Sequence, residues 1–122
     1  MKWLLAAVCA VSLQAGAQDA VLAEAQRYRN GTGVAVDQAH AARLFERAAQ
    51  AGNADAAFTL ANMLRAGEGV AQDPVAAHRW LLRAADGESP EALQQLAMEE
   101  PDPARAAQLF KEAAHALKHQ VR

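Results

Sequence analysis

The chain has 122 residues, with 12 Lys and Arg against 14 Asp and Glu, and a single cysteine. That slightly acidic balance, with no basic run and no basic–aromatic patch, argues against nucleic acid as a partner. The one cysteine, Cys9, falls in the N-terminal apolar stretch, so the rest of the chain has no thiol for a disulfide, a metal–thiolate site or a cysteine nucleophile.

The first residues have the pattern of a secretory signal. Lys2 supplies a positive start, Trp3 to Leu13 is uncharged and mostly apolar, and Ala15-Gly16-Ala17 offers small residues where a signal peptidase cuts. This predicts a signal peptide over residues 1–17 and one domain of about 105 residues over 18–122. The apolar run is about 11 residues, short of the ~20 that a spanning helix requires, so no integral membrane segment is expected after cleavage. Cys9 lies inside the apolar run instead of following it, which argues against a lipid anchor. The expected location is the periplasm, with secretion as the alternative.

Beyond the signal every element reads as helix, and no strand pattern is present. The predicted helices run Asp19–Arg29, Gln38–Ala51, Ala54–Ala66, Pro74–Asp86, Pro90–Glu99 and Pro103–His119. In the third, Ala57, Leu60, Met63 and Leu64 share one face at helical spacing, with Asp55, Thr59 and Asn62 opposite. Phe58 lies off that face, as suits a helix contacted from two sides. Gly67 is placed to close this helix in a left-handed turn. The fourth helix opens with Asp73 as cap and Pro74 in its first turn, a start repeated at Ser89-Pro90 and Asp102-Pro103. Its stripe of Ala77, Trp80, Leu81 and Ala84 is expected to be buried, with Arg79 and Arg83 facing out.

These elements repeat. Asn30-Gly31-Thr32-Gly33-Val34-Ala35-Val36-Asp37 recurs 36 residues later as Ala66-Gly67-Glu68-Gly69-Val70-Ala71-Gln72-Asp73. Holding that offset from Gly31 to Ala61 gives thirteen identities in thirty-one positions, against about three by chance. A third copy is shorter: Asp73-Pro74 recurs as Asp102-Pro103, Trp80-Leu81 as Leu109-Phe110, and Ala84-Ala85 as Ala113-Ala114, at an offset of 29. Glu24 stands where Leu60 and Leu96 stand later, as expected of an end unit that lacks one neighbour. The expected architecture is all-α: a short α-solenoid of about three helical hairpins, with units over roughly 18–51, 52–87 and 88–119.

Gly52-Asn53-Ala54-Asp55-Ala56, Leu60-Ala61-Asn62-Met63-Leu64, Gly67-Glu68-Gly69-Val70, Asp73, Ala77, Trp80-Leu81 and Arg83-Ala84-Ala85 together resemble a Sel1-like repeat, a relative of the tetratricopeptide repeats. The resemblance covers essentially the whole mature chain. It departs in the third unit, which lacks the Gly-x-Gly-Val loop, and at Gly87, one residue from the place Gly52 predicts. It implies a superhelical scaffold that binds proteins or peptides without catalysis. Bacterial relatives are commonly exported and include envelope regulators, host-interaction factors and immunity proteins against secreted toxins. The first expectation is therefore a periplasmic adaptor or regulator with a protein partner of unidentified kind. An immunity protein that blocks a toxin is the alternative, and a hydrolytic or metal-dependent enzyme a distant third.

Stacked hairpins line one surface with the outward faces of their first helices. Helical phase places Gln26 and Arg29 there from the first unit, Asp55, Thr59, Asn62 and Arg65 from the second, and Glu91, Gln95 and Met98 from the third. These nine are the expected partner-binding residues, with Asn62 and Arg65 near the centre. No catalytic residue is expected. Ser89, the one serine after the signal, precedes Pro90 and reads as a cap, and Tyr28 takes the core position of Leu64. The carboxylates of Glu88, Glu91, Glu99, Glu100 and Asp102 read as a solvated face. The two Gly-x-Gly loops follow no strand and do not read as phosphate cradles. His115 and His119, one turn apart, have the spacing of a metal chelate. They lack a third ligand nearby in sequence and read instead as a cationic helix end. His40 and His78 read as ordinary surface or flank residues. No metal, no cofactor and a monomeric chain are the corresponding expectations. Mass spectrometry of the native N-terminus should find Gln18 as the first residue, and mature material beginning at Met1 would exclude the cleavage.

Overall fold

The computed structural model describes residues 19–120, so the expected signal segment lies outside the described residues. Six helices and no strand are present among them: α1 (residues 19–30), α2 (Gln38–Gln50), α3 (Ala54–Ala66), α4 (Pro74–Asp86), α5 (Pro90–Glu99) and α6 (Pro103–Gln120). They form three helical hairpins stacked as a short solenoid, the all-α architecture that the repeat implies. None of these helices is long and apolar enough to cross a membrane.

Each of α2 to α6 begins where a short polar side chain replaces the missing intrahelical acceptor. Asp37 Oδ1 accepts from the His40 backbone N–H at 3.0 Å, Asn53 Oδ1 from Ala56 at 2.9 Å, and Asp73 Oδ1 from Ala76 at 3.0 Å. Ser89 Oγ does the same for Ala92 at 3.3 Å, and Asp102 Oδ1 for Ala104 at 3.1 Å. Each such cap contributes about 1 kcal/mol. The two Gly-containing loops are copies of each other. Asp37 N–H donates to Tyr28 O at 2.9 Å, and 36 residues on Asp73 N–H donates to Leu64 O at 2.8 Å. Thus the same loop returns the chain to the same point on the first helix of each of the first two units. As expected, α3 closes at Gly67 with a left-handed backbone, φ 73°.

Small residues let the helices approach. Ala41, Ala48, Ala56, Ala57, Ala61, Ala77, Ala84 and Ala92 are all buried, and with Phe45, Leu60, Met63 and Leu81 they fill the main core. This cluster runs through the first two hairpins and reaches α5 at Ala92. A smaller cluster of Leu93, Ala113 and Ala116 holds the third hairpin, and Ala85 packs against both. The repeat explains one exposed residue. Phe45 and Leu81 hold equivalent positions and are fully buried, whereas their third copy, Phe110, is 48% exposed on α6, where no further unit is stacked among the described residues.

The stripe of α4 is buried at Ala77, Leu81 and Ala84, but Trp80 is only partly so. Its indole is larger than the Leu44 that fills the equivalent place in the first unit, and an indole is seldom wholly enclosed. It packs one side on the core and carries the Arg83 guanidinium 4.8 Å from its ring centre, a cation–π arrangement that keeps the charge exposed.

The third unit also moves a glycine for a physical reason. A Cβ on Gly87 would lie 2.8 Å from Ala54 Cβ, so a glycine is needed there for the end of α4 to pass the start of α3. Glu88 is left to make the left-handed turn that Gly52 makes one unit earlier, at φ 62° against 100°. A non-glycine residue there is strained by about 1–2 kcal/mol, partly offset by the extra chain entropy that glycine loses on folding. Urea unfolding should therefore show Glu88→Gly more stable by roughly 0.5–1 kcal/mol and Gly87→Ala less stable than the parent. Destabilisation by Glu88→Gly would contradict this account of the turn.

Candidate protein-interaction surface

The first helix of each unit presents its polar side in the same direction, because each hairpin stacks on its neighbour in the same phase. Four of the expected residues are brought together there. Gln26 of α1, Asp55 and Thr59 of α3, and Glu91 of α5 line one open groove of about 600 Å³, whose walls also include Leu22 and Phe58. Gln120 of α6 completes it. Leu22 and Phe58 are partly buried side chains that pack on the main core with one side and face the groove with the other. That double duty accounts for the position of Phe58 off the apolar stripe.

The groove is acidic. Neither Asp55 nor Glu91 has an ion-pair partner among the described residues. Glu91 Oε2 accepts a hydrogen bond from Ser89 Oγ at 3.2 Å, which holds it in place without neutralising it. Thr59 Oγ1 donates to the Asp55 backbone carbonyl at 3.0 Å and leaves its lone pairs toward the groove.

The two arginines behave differently. Arg29 and Arg65 hold the same repeat position, 36 residues apart, and each reaches to the next unit. Arg29 Nη2 donates to Glu68 Oε2 at 3.1 Å, and Arg65 Nη2 pairs with Glu99 Oε1 at 3.0 Å. Glu68 also accepts from Gln38 Nε2 at 3.2 Å, so the second Gly-x-Gly loop is tied to both helices of the first hairpin. The next residue, Gly69, lies against the Gln38 backbone, where any Cβ would collide with the carbonyl. Gln95 donates to the same Glu99 oxygen, at 3.3 Å. Arg65, Gln95 and Glu99 therefore form a bridge between units, and Asn62, three residues before Arg65 on α3, is half-buried. Met98 stands apart, 74% exposed on α5.

Sequence reasoning did not find Glu68, Glu99, Leu22, Phe58 or Gln120 as parts of this surface. The recurrence of Arg29 as Arg65 was the available signal for the bridges. Their acceptors are not repeat-equivalent, since Glu68 lies in a loop and Glu99, at the end of α5, corresponds to Met63, and periodicity alone does not reveal them. Elsewhere the bland readings fit the geometry. Ser89 is buried and engaged as the cap of α5, and His40 stacks edge-on against Tyr28 with ring centres 4.4 Å apart.

The Sel1 repeat family model matches three times, at residues 20–53, 54–89 and 91–116. Two solved structures are similar over most of the chain. A Sel1 repeat protein from Oxalobacter formigenes superposes with a TM-score of 0.77 at 25% identity, over 81% of this chain and 43% of its own. A protective antigen present in uropathogenic Escherichia coli strains, displaying an SLR fold, superposes with a TM-score of 0.74 at 27% identity, over 82% of this chain and 23% of its own. The chain thus spans less than half the length of either. No curated protein matches it. Three consecutive repeat matches, on the three hairpins seen in the structure, show that the chain belongs to the Sel1 repeat family.

Proposed function

We propose that this protein is an exported, non-catalytic adaptor that holds a protein partner in the groove formed by its first helices. Sel1 repeats generally mediate protein–protein interaction. The observation that carries the reading to a place on this chain is the convergence of Gln26, Asp55, Thr59 and Glu91 from three successive units on one open concavity. Its half-buried Leu22 and Phe58 offer apolar contact, and its two carboxylates have no ion-pair partner among the described residues. That chemistry suits a partner segment carrying Lys or Arg, whose aliphatic stem lies on Phe58 while its head meets Asp55 or Glu91. The positive start, apolar run and small-residue site at the N-terminus support delivery to the periplasm.

The bridges decide which substitutions test this cleanly. Arg65→Glu would set two carboxylates against each other across a unit boundary, so it reports on stacking as well as on binding. Asp55 and Glu91 are exposed and have no ion pair among the described residues, so reversing them breaks no bridge between units, and the loss is confined to a favourable first-turn carboxylate on α3 and on α5. The wild-type chain, immobilised, should retain a partner from envelope extract. Against that purified partner, Asp55→Lys combined with Glu91→Lys should weaken binding at least tenfold, about 1.4 kcal/mol, with helix content unchanged. Arg79→Glu, exposed on α4, should bind as the parent does. Retention by the groove variant and loss by Arg79→Glu would place the site on the opposite face.

A further inference from the structure

Near the end of α6, His115 and His119 project from the same side of the helix. Their Nε2 atoms are 3.0 Å apart and their ring centres 4.5 Å, with the rings inclined at 71°. Both residues are exposed, so neither has to leave a protein interior to meet a ligand. The sequence reading of a cationic helix end gives no reason for the two Nε2 atoms to face each other. In a pair this close, one Nε2 carries a proton and the other offers its lone pair.

The same separation is that of two nitrogens on one metal ion. Two imidazole nitrogens at about 2.05 Å from a cation lie about 2.9 Å apart at a right angle and about 3.3 Å apart at the tetrahedral angle. The observed 3.0 Å falls near the right angle, the bite of a square-planar or octahedral site and not of a tetrahedral one. We propose that His115 and His119 form a two-nitrogen binding site for a late first-row divalent cation, with Cu²⁺ preferred over Ni²⁺ and both over Zn²⁺. The preference follows from this bite together with the usual affinity order for imidazole ligands.

Binding requires no covalent chemistry. The ring that donates through Nε2 moves its proton to Nδ1, and both Nε2 lone pairs then face the ion. The remaining coordination positions go to water, because no group of three His, Cys, Asp or Glu is assembled among the described residues. Two features favour a cation here. The site lies in the last turns of α6, where the helix dipole presents its negative end. Glu112 stands on the same stripe of the helix, one turn before His115, held by Gln108 Nε2 at 3.1 Å. Lys111 and Lys118 flank that stripe and oppose the effect, which keeps the site a moderate one. A clamp between positions four apart also fastens the last turns of α6, the helix with few buried residues.

The test is calorimetric titration of the full chain, without a histidine tag and stripped with a chelator, with Cu²⁺, Ni²⁺ and Zn²⁺ separately. Electron paramagnetic resonance of the Cu²⁺ complex accompanies it. The expected result is one Cu²⁺ per chain, an affinity order Cu²⁺ above Ni²⁺ above Zn²⁺, and a spectrum with two coordinating nitrogens. His115→Gln and His119→Gln should each lower Cu²⁺ affinity at least tenfold with helix content unchanged, and His78→Gln should leave it unaltered. Parental Cu²⁺ affinity in both His115→Gln and His119→Gln would overturn the site, and tighter binding of Zn²⁺ than of Cu²⁺ would overturn the assigned bite.

Discussion

An alanine-rich helix face buries little area by itself. At ~25 cal/mol per Å², a methyl group contributes far less than the leucine or phenylalanine that would hold an isolated hairpin together. What alanine allows instead is close approach, and the helices of this chain use it on more than one side. Ala56, Ala57 and Ala61 of α3 are all buried, and the large residues beside them, Leu60 and Met63, are sealed by neighbouring helices. Each hairpin therefore depends on the one beside it. The dependence shows where it fails: Phe45 and Leu81 are fully enclosed, and Phe110, at the same place in the last unit, is not.

The stack sets the candidate surface because it sets the phase. In the first two units, loops with the same backbone bonds return the second helix to the same point on its first helix, as the Asp37–Tyr28 and Asp73–Leu64 pairs show. The polar sides of α1, α3 and α5 then fall in one row. Arg29–Glu68 and Arg65–Glu99 cross from unit to unit along that row. Such partly exposed pairs are worth at most ~1 kcal/mol each, so their effect is on register more than on stability. They also use up the positive charge of the surface. What is left in the groove is Asp55 and Glu91 over Leu22 and Phe58, an acidic site with an apolar wall.

Most of the fold was legible because its signals are local and repeated. Capping residues with a following proline fixed the starts of α4, α5 and α6, and the 36-residue period fixed the hairpin boundaries. Helical phase also put Gln26, Asp55, Thr59 and Glu91 on one surface. The features that were not legible depend on distances across units. Trp80 occupies a core position in the pattern, but its size leaves it half-covered under Arg83. Glu88 looks like an ordinary charged residue, and its left-handed backbone follows from the crowding of Gly87 against Ala54, thirty-three residues earlier in the chain. Arg65 reads as a free interface arginine until Glu99 is found beside it. His115 and His119 have a suggestive spacing, but only rotamers decide whether two rings on one helix point at each other.

The central claim is that neighbours, not local sequence, hold each hairpin. It is tested most directly by amide hydrogen exchange resolved along the chain under native conditions, which reports local opening free energies. α3 has five fully buried residues and is contacted from both sides, while the longer α6 has two. The account predicts the slowest exchange in α2 and α3, which carry the most buried residues, and markedly faster exchange in the second half of α6, despite its greater length. Protection in α6 equal to or above that in α3 would contradict it, because a helix packed chiefly against α5 would then be as well held as one packed against both α2 and α4.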